Sequence, residues 1–186
     1  MGTAKANRGI SSALEEKIRA IRLLVFDVDG VLTDGGIWFA EAGRELKRFD
    51  VKDGAGLAFA KACGLDLAWI TGRTSQVVER RAKEIGVKWL YQGRLHKVPA
   101  LKEILEESGL GPEQISYMGD DFVDLAVMSL VGATACPADA HDSVRQVADF
   151  VCEKPGGRGA VREWIDLVLT VQGKMTDLEA RYREVI

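Results

Sequence analysis

The sequence predicts an α/β protein, a doubly wound parallel sheet wrapped by helices, and three observations carry that prediction. Arg22 leads into Leu23-Leu24-Val25-Phe26, an unbroken apolar, β-prone run. Such a run marks a central parallel strand buried on both faces. From there, short β-prone runs alternate with segments of helical period, the pattern of repeated βα units. The chain has 186 residues, 47% apolar and 28% charged, which suits one compact domain with an ordinary core.

The elements follow in order. Residues 1–10 are small and polar and are expected to be disordered. Ser12-Ala13-Leu14-Glu15 reads as a capping box, with Leu14, Ile18 and Ile21 on one helical face. After the strand at 22–26 come a strand at 65–70, a helix at 75–85 and a strand at 88–91. A helix at 97–107, a turn at 109–112, a strand at 115–118 and a helix at 121–130 continue the alternation. Two short strands at 133–136 and 149–151 precede a closing helix at 159–171. The domain is read as 11–174, with a tail at 175–186.

One segment breaks the alternation. Gly36-Ile37-Trp38-Phe39, Glu41-Ala42-Gly43 and Glu45-Leu46-Lys47-Arg48-Phe49 read as a β-hairpin inserted at 36–49. It lies over the carboxyl end of the sheet, where open α/β folds bind ligands. It is either a surface hairpin with Trp38 exposed, or a flap or interface element against another subunit.

Composition excludes several classes. With 25 Lys+Arg against 28 Asp+Glu, the net charge of −3 gives no bulk attraction for nucleic acid. No uncharged apolar run reaches the ~18 residues of a membrane span. The first eight residues lack the apolar stretch of a secretory signal. Cys63, Cys136 and Cys152 are odd in number and widely spaced, which excludes a disulfide framework and points to a reducing compartment. They are read as buried or inert.

Four motifs can carry chemistry. Asp27-Val28-Asp29-Gly30 places two carboxylates at i and i+2 where an apolar strand ends. They suit a hard cation or a nucleophile–acid pair. A plain Asp-Gly turn is the competing reading, and an EF-hand loop is disfavoured because Val31 stands at its fifth position. Thr71-Gly72-Arg73 ends a strand before a helix, as either a phosphate cradle or a simple helix cap. Lys97 opens a helix, against the helix dipole, which favours cations at the other end. Gly119-Asp120-Asp121-Phe122-Val123-Asp124 gathers three acids, either a metal site or an acid-rich helix start. Successive gaps between Asp27, Thr71, Lys97 and Asp120 are each long enough for a return to the same sheet edge. All four motifs sit at or just past strand ends there. Together they make a phosphoryl-transfer set.

With these motifs the sequence resembles the haloacid dehalogenase-like phosphatase superfamily. The match extends through Phe49-x-Val51-x-Asp53-Gly54, Tyr91-Gln92-Gly93 and the run from Gly156 to Glu163. The whole resembles the capless branch typified by 3-deoxy-D-manno-octulosonate 8-phosphate phosphatases. The resemblance implies a Rossmann-like domain without a cap, Mg²⁺ as cofactor and a cytoplasmic homotetramer serving lipopolysaccharide synthesis, in which a neighbour's hairpin and tail help close each site. It implies no membrane and no nucleic-acid partner. Asp27 is then the nucleophile, Asp29 the general acid and base, and Thr71 and Lys97 the holders of the phosphoryl group. Mg²⁺ is held by Asp27, the Asp29 carbonyl and Asp120, with Asp121 and Asp124 in support.

The phosphorylated sugar acid is expected to meet Asp29, Asp50, Val51, Lys52, Asp53, Gly54, Arg73, Arg81 and Lys97. The sequence departs from the family at Ala58, where an arginine is common, and at Asp50, where asparagine is common. The leading substrate is octulosonate 8-phosphate. The alternative is a nonulosonate 9-phosphate, of the ketodeoxynononate or N-acylneuraminate type. A non-catalytic oligomerisation module is the remaining reading, but it would be expected to have lost motif residues that are all present here.

Overall fold

The computed structural model describes residues 9–183. Its elements are α1 (Ser12–Ala20), β1 (Leu23–Phe26), β2 (Trp38–Phe39), β3 (Glu45–Leu46), α2 (Val51–Ala62), β4 (Asp66–Ile70), α3 (Gln76–Ile85) and β5 (Trp89–Tyr91). They continue as α4 (Val98–Ser108), β6 (Ile115–Met118), α5 (Leu125–Met128), β7 (Ala133–Cys136), α6 (Asp142–Val147), β8 (Phe150–Val151), α7 (Ala160–Val171) and α8 (Met175–Arg183). Six of the strands form one parallel sheet in the order β5-β4-β1-β6-β7-β8. Read in chain order, the sheet runs outward from β1 in one direction and then from β6 in the other. This is the doubly wound α/β architecture that the strand alternation predicts.

Period-two alternation on β1 builds both layers. Leu24 and Phe26 pack with Leu57, Trp164, Ile165 and Val168 on the face covered by α1, α2 and α7. Leu23 and Val25 pack with Leu101, Ile104, Val127 and Val144 from α4, α5 and α6. Each such side chain contributes roughly 1.5–3 kcal/mol on full burial. The register sets the working edge. Phe26 pairs with Met118, so β1 and β6 end level, and with Trp69, so β4 runs one residue further, to Ile70. The residues that follow them emerge on one side, where the winding reverses between β1 and β6.

Several expectations are corrected. The N-cap of α1 is Ser11, whose Oγ accepts from Leu14 N at 3.2 Å, one residue before the predicted capping box. The helix expected at 121–130 is a 3₁₀ turn at Phe122–Asp124 followed by the short α5. The Asp124 carboxylate folds back onto Asp120 N and Asp121 N, which tightens that turn. The sequence pattern does not announce the helix α2, because the glycines of Asp53-Gly54-Ala55-Gly56 are poor helix formers. Its glycines serve packing: a Cβ on Gly54 would lie 2.1 Å from the Arg81 guanidinium, and one on Gly56 would lie 2.9 Å from Arg162 Cδ. Much of the expected tail is helical. In α8, Leu178 is buried and the Tyr182 ring meets Phe59 edge-on at 5.4 Å.

Gly9 and Ile10 carry no regular structure, and residues 1–8 and 184–186 lie outside the described residues. The hairpin forms as β2 and β3, paired Trp38↔Leu46 and Phe39↔Glu45. The three cysteines are free, and burial pushes the Cys136 thiol up to about 11. Among the described residues, no helix is long and apolar enough to cross a membrane.

Candidate active site

Four strand ends deliver one cleft. β1 hands over to Asp27, whose N–H is held by Met118 O at 2.9 Å. The chain then turns through Gly30 at φ +89°, a left-handed conformation that favours glycine. β4 hands over to Thr71, β6 leads through Gly119 to Asp120, and the loop after β5 carries Lys97 to the start of α4. Asp27, Asp29, Thr71, Gly72, Arg73, Lys97, Asp120, Asp121 and Val123 line a cleft of about 180 Å³. The four motifs therefore meet at the carboxyl edge, where the sheet order reverses.

Lys97 is the hub. Its Nζ lies 2.8 Å from Asp27 Oδ1 and 2.6 Å from Asp124 Oδ1, and it donates to Tyr117 Oη at 3.2 Å. The Tyr117 hydroxyl donates to Asp124 Oδ1 at 2.6 Å. Asp124 Oδ2 accepts from Asp120 N at 2.9 Å and from Asp121 N at 3.2 Å. Burial alone would lower the Lys97 pKa, but Asp27 and Asp124 outweigh it and hold the ammonium above its usual value. The cation against the helix dipole is thus explained by two buried carboxylates.

The acids are crowded. Burial raises Asp27 to about 6 against the pull of Lys97. Asp120 rises further, to about 8, through burial and the charges of Asp27 and Asp124. Carboxylate oxygens of Asp27, Asp120 and Asp124 all lie within 4.8 Å of one another. One ammonium cannot balance three such groups, and hard oxygen donors in this arrangement fit Mg²⁺. Gly30 makes the room: a Cβ there would sit 2.0 Å from Asp120 Oδ2. Asp124 belongs to this group by distance, yet both of its oxygens are taken by Lys97, Tyr117 and two backbone amides. Asp27 and Asp120 have the freer oxygens. The Asp29 carboxylate is outside the group. It faces Thr71 instead, with Oδ2 3.5 Å from Thr71 Oγ1.

The expected sugar-side residues separate. Arg73 lines the cleft and donates to Glu45 Oε1 at 2.8 Å. Asp50, Asp53, Gly54 and Arg81 instead line a second, much smaller crevice with Phe49 and Trp69. Asp53 is buried and accepts from Gly159 N at 3.1 Å and Arg162 N at 2.8 Å, so it caps the start of α7. Asp50 caps α2 through Lys52 N at 2.7 Å, and Val51 and Lys52 are exposed on the first turn. Arg81 pairs with Glu84 at 2.9 Å and lies over the Phe49 ring. Ala58 is exposed on α2.

Two site residues escaped the sequence reading. Lys47 hydrogen-bonds Asp29 Oδ1 and lies 3.6 Å from Glu45. Tyr117 supplies the hydroxyl between Lys97 and Asp124. The available signal for the first was alternation, since Glu45 and Lys47 share one face of an extended segment.

Residues 89–165 match the family model of haloacid dehalogenase-like hydrolases. The doubly wound sheet, with its acids and lysine at the reversal point, places the protein in that class. The 3-deoxy-D-manno-octulosonate 8-phosphate phosphatase KdsC of Escherichia coli (strain K12) is 43% identical over 172 residues, 92% of each chain. A crystal structure of the phosphatase from Yersinia pestis is 42% identical, covers 89% of each chain and has a TM-score of 0.87. The Moraxella catarrhalis phosphatase, solved with a magnesium ion, a phosphate ion and a KDO molecule, has a TM-score of 0.88 at 38% identity. That likeness covers 91% of this chain and 97% of the other. The chain belongs to the 3-deoxy-D-manno-octulosonate 8-phosphate phosphatase family.

Proposed function

We propose that this protein is a Mg²⁺-dependent phosphomonoesterase that hydrolyses 3-deoxy-D-manno-octulosonate 8-phosphate to the sugar acid and inorganic phosphate. The observation that carries the reading is the convergence of Asp27, Asp29, Thr71, Lys97 and Asp120 on one cleft, in a chain of this family.

The chemistry follows from the residues. An Asp27 oxygen attacks phosphorus, the bond to the sugar oxygen breaks, and Asp29 gives that oxygen its proton. Asp29 then takes a proton from water as the water attacks the aspartyl-phosphate, which frees phosphate and restores Asp27. Thr71 and Lys97 donate to the phosphoryl oxygens and offset charge there. Asp124 and Tyr117 keep the Lys97 ammonium aimed at Asp27. Mg²⁺, held by Asp27 and Asp120 with the Asp29 carbonyl, supplies positive charge between nucleophile and phosphate. Arg73, at the mouth, is the cation best placed for the sugar-acid carboxylate.

A homotetramer is part of this reading. The hairpin exposes Ile37, Trp38 and Phe39, with Trp38 63% and Phe39 66% exposed, and such an apolar surface suits burial against a second copy. The three free cysteines agree with action in the cytoplasm, supplying sugar acid for lipopolysaccharide.

Phosphate release with Mg²⁺ on octulosonate 8-phosphate, a nonulosonate 9-phosphate and simple sugar phosphates tests the substrate. Preference for the first is expected. Preference for the nine-carbon acid overturns the substrate and keeps the chemistry. Turnover retained by Asp27→Asn overturns the nucleophile.

A further inference from the structure

The inserted hairpin reaches the acid–base carboxylate through one side chain. Lys47 directly follows β3, and although it arises from an exposed ribbon its side chain is only 1% exposed. Its ammonium hydrogen-bonds Asp29 Oδ1. Glu45 flanks it at 3.6 Å and accepts from Arg73 at 2.8 Å, so a chain of charges runs from Asp29 to the mouth of the cleft. The other Asp29 oxygen, Oδ2, faces Thr71 Oγ1 at 3.5 Å. One oxygen is therefore tied to the hairpin, while the other points to the place where the phosphoryl group is read to sit. The terminal torsion of an aspartate is broad and roughly two-fold, so a lone carboxylate in this loop would have no preferred aim. A charge-assisted hydrogen bond to one oxygen removes that freedom.

We propose that Lys47 is the positioning residue for Asp29, and that the hairpin acts on the reaction through it. The inference rests on the reading of Asp29 as the general acid. As the Asp27–phosphorus bond forms, the bond from phosphorus to the sugar oxygen breaks. The proton on Asp29 Oδ2 passes to that oxygen, and Asp29 is left as a carboxylate whose charge faces the Lys47 ammonium. Lys47 gives up no proton and touches no reacting atom. Its work is orientation, and the demand for it scales with how badly the leaving oxygen needs a proton.

The test compares kcat/KM for octulosonate 8-phosphate, whose leaving group is an alkoxide, with p-nitrophenyl phosphate, whose leaving group departs without a proton. This ratio covers the steps through formation of the aspartyl-phosphate and omits its hydrolysis, where Asp29 serves both substrates alike. Lys47→Met is expected to lower kcat/KM about 100-fold on the sugar phosphate and by less than about threefold on the aryl phosphate. Lys47→Arg, which keeps a cation on a stem of similar reach, is expected to restore most of the loss. Equal losses on both substrates, or none on either, overturn the proposal. Asp29→Asn is measured in parallel. If it discriminates between the substrates and Lys47→Met does not, the positioning role falls and the acid assignment stands. If Asp29→Asn does not discriminate, both fall.

Discussion

The ammonium of Lys97 lies 2.6 Å from the carboxylate of Asp124, with both side chains sealed from solvent. Asp124 also accepts from Tyr117 and from two backbone amides, so both of its oxygens face donors, and only a carboxylate can accept at both. Asparagine there would turn an amide donor toward other donors and strip Lys97 of a counter-charge. Asp124→Asn is expected to cost about 3–5 kcal/mol of stability, as for a broken buried pair. Turnover should fall roughly 10²–10³-fold as Lys97 loses its aim. Urea unfolding and phosphate release measure the two effects.

The crowded acids make stability depend on pH and on metal. Folding raises Asp27 to about 6 and Asp120 to about 8, from 3.8 for an ordinary aspartate. The folded state therefore binds more protons than the unfolded state across that window, and the contribution of these groups to stability falls as pH rises from about 4 to 8. Mg²⁺ binds the deprotonated acids, so its stabilising effect runs the other way. Thermal melts of metal-free protein should show Tm falling between pH 5 and 8, all else equal, and the gain from saturating Mg²⁺ growing over the same range. A Mg²⁺ gain that is flat with pH would contradict this account. Chelation should abolish turnover, and added Mg²⁺ should restore it.

Gly30 tests the room left for Asp120. A Cβ there would meet Asp120 Oδ2 at 2.0 Å, at a φ of +89° that L side chains rarely adopt. Gly30→Ala is expected to push the carboxylate aside and weaken Mg²⁺ binding about 10–100-fold. Titration calorimetry reads this directly, and unchanged affinity would show that the carboxylate has another position open to it.

Asp53 stands in a family motif beside the expected substrate residues, yet its carboxylate caps α7. Asp53→Ala leaves Gly159 N and Arg162 N without their acceptor and is expected to cost about 1–2 kcal/mol. KM should stay unchanged at temperatures where the variant is folded. A raised KM with unaltered stability would return Asp53 to the substrate.

The hairpin's apolar surface bears on assembly. Replacing Trp38 and Phe39 together by serine removes two large exposed side chains from a ribbon outside the main core. The expected result is a smaller species by light scattering with unchanged far-ultraviolet circular dichroism. A particle of unaltered mass would show that the hairpin carries no subunit contact.

The architecture was open to reading because it rests on local pattern. The apolar run at Leu23–Phe26 could be covered only from both faces, and the repeated strand-then-helix order left a parallel sheet as the way to cover it. Asp27, Thr71 and Asp120 were legible for a related reason: each follows closely on the end of an apolar strand, and the winding brings those ends, with the β5 loop that carries Lys97, to one edge. What stayed hidden depends on which distant chains land beside each charge. Lys97 looked like a helix-start lysine until Asp124 and Tyr117 closed around it. Asp53 reads as a ligand contact in the sequence, and only the fold brings the two backbone amides at the start of α7 to its carboxylate. Lys47 looked like one more charge on an exposed ribbon until the hairpin folded over Asp29. Periodicity reports how much of a segment must be buried, a property of neighbouring residues. The partner of a buried charge is set by loops far apart in the chain, and only their packing in three dimensions brings it within hydrogen-bond reach.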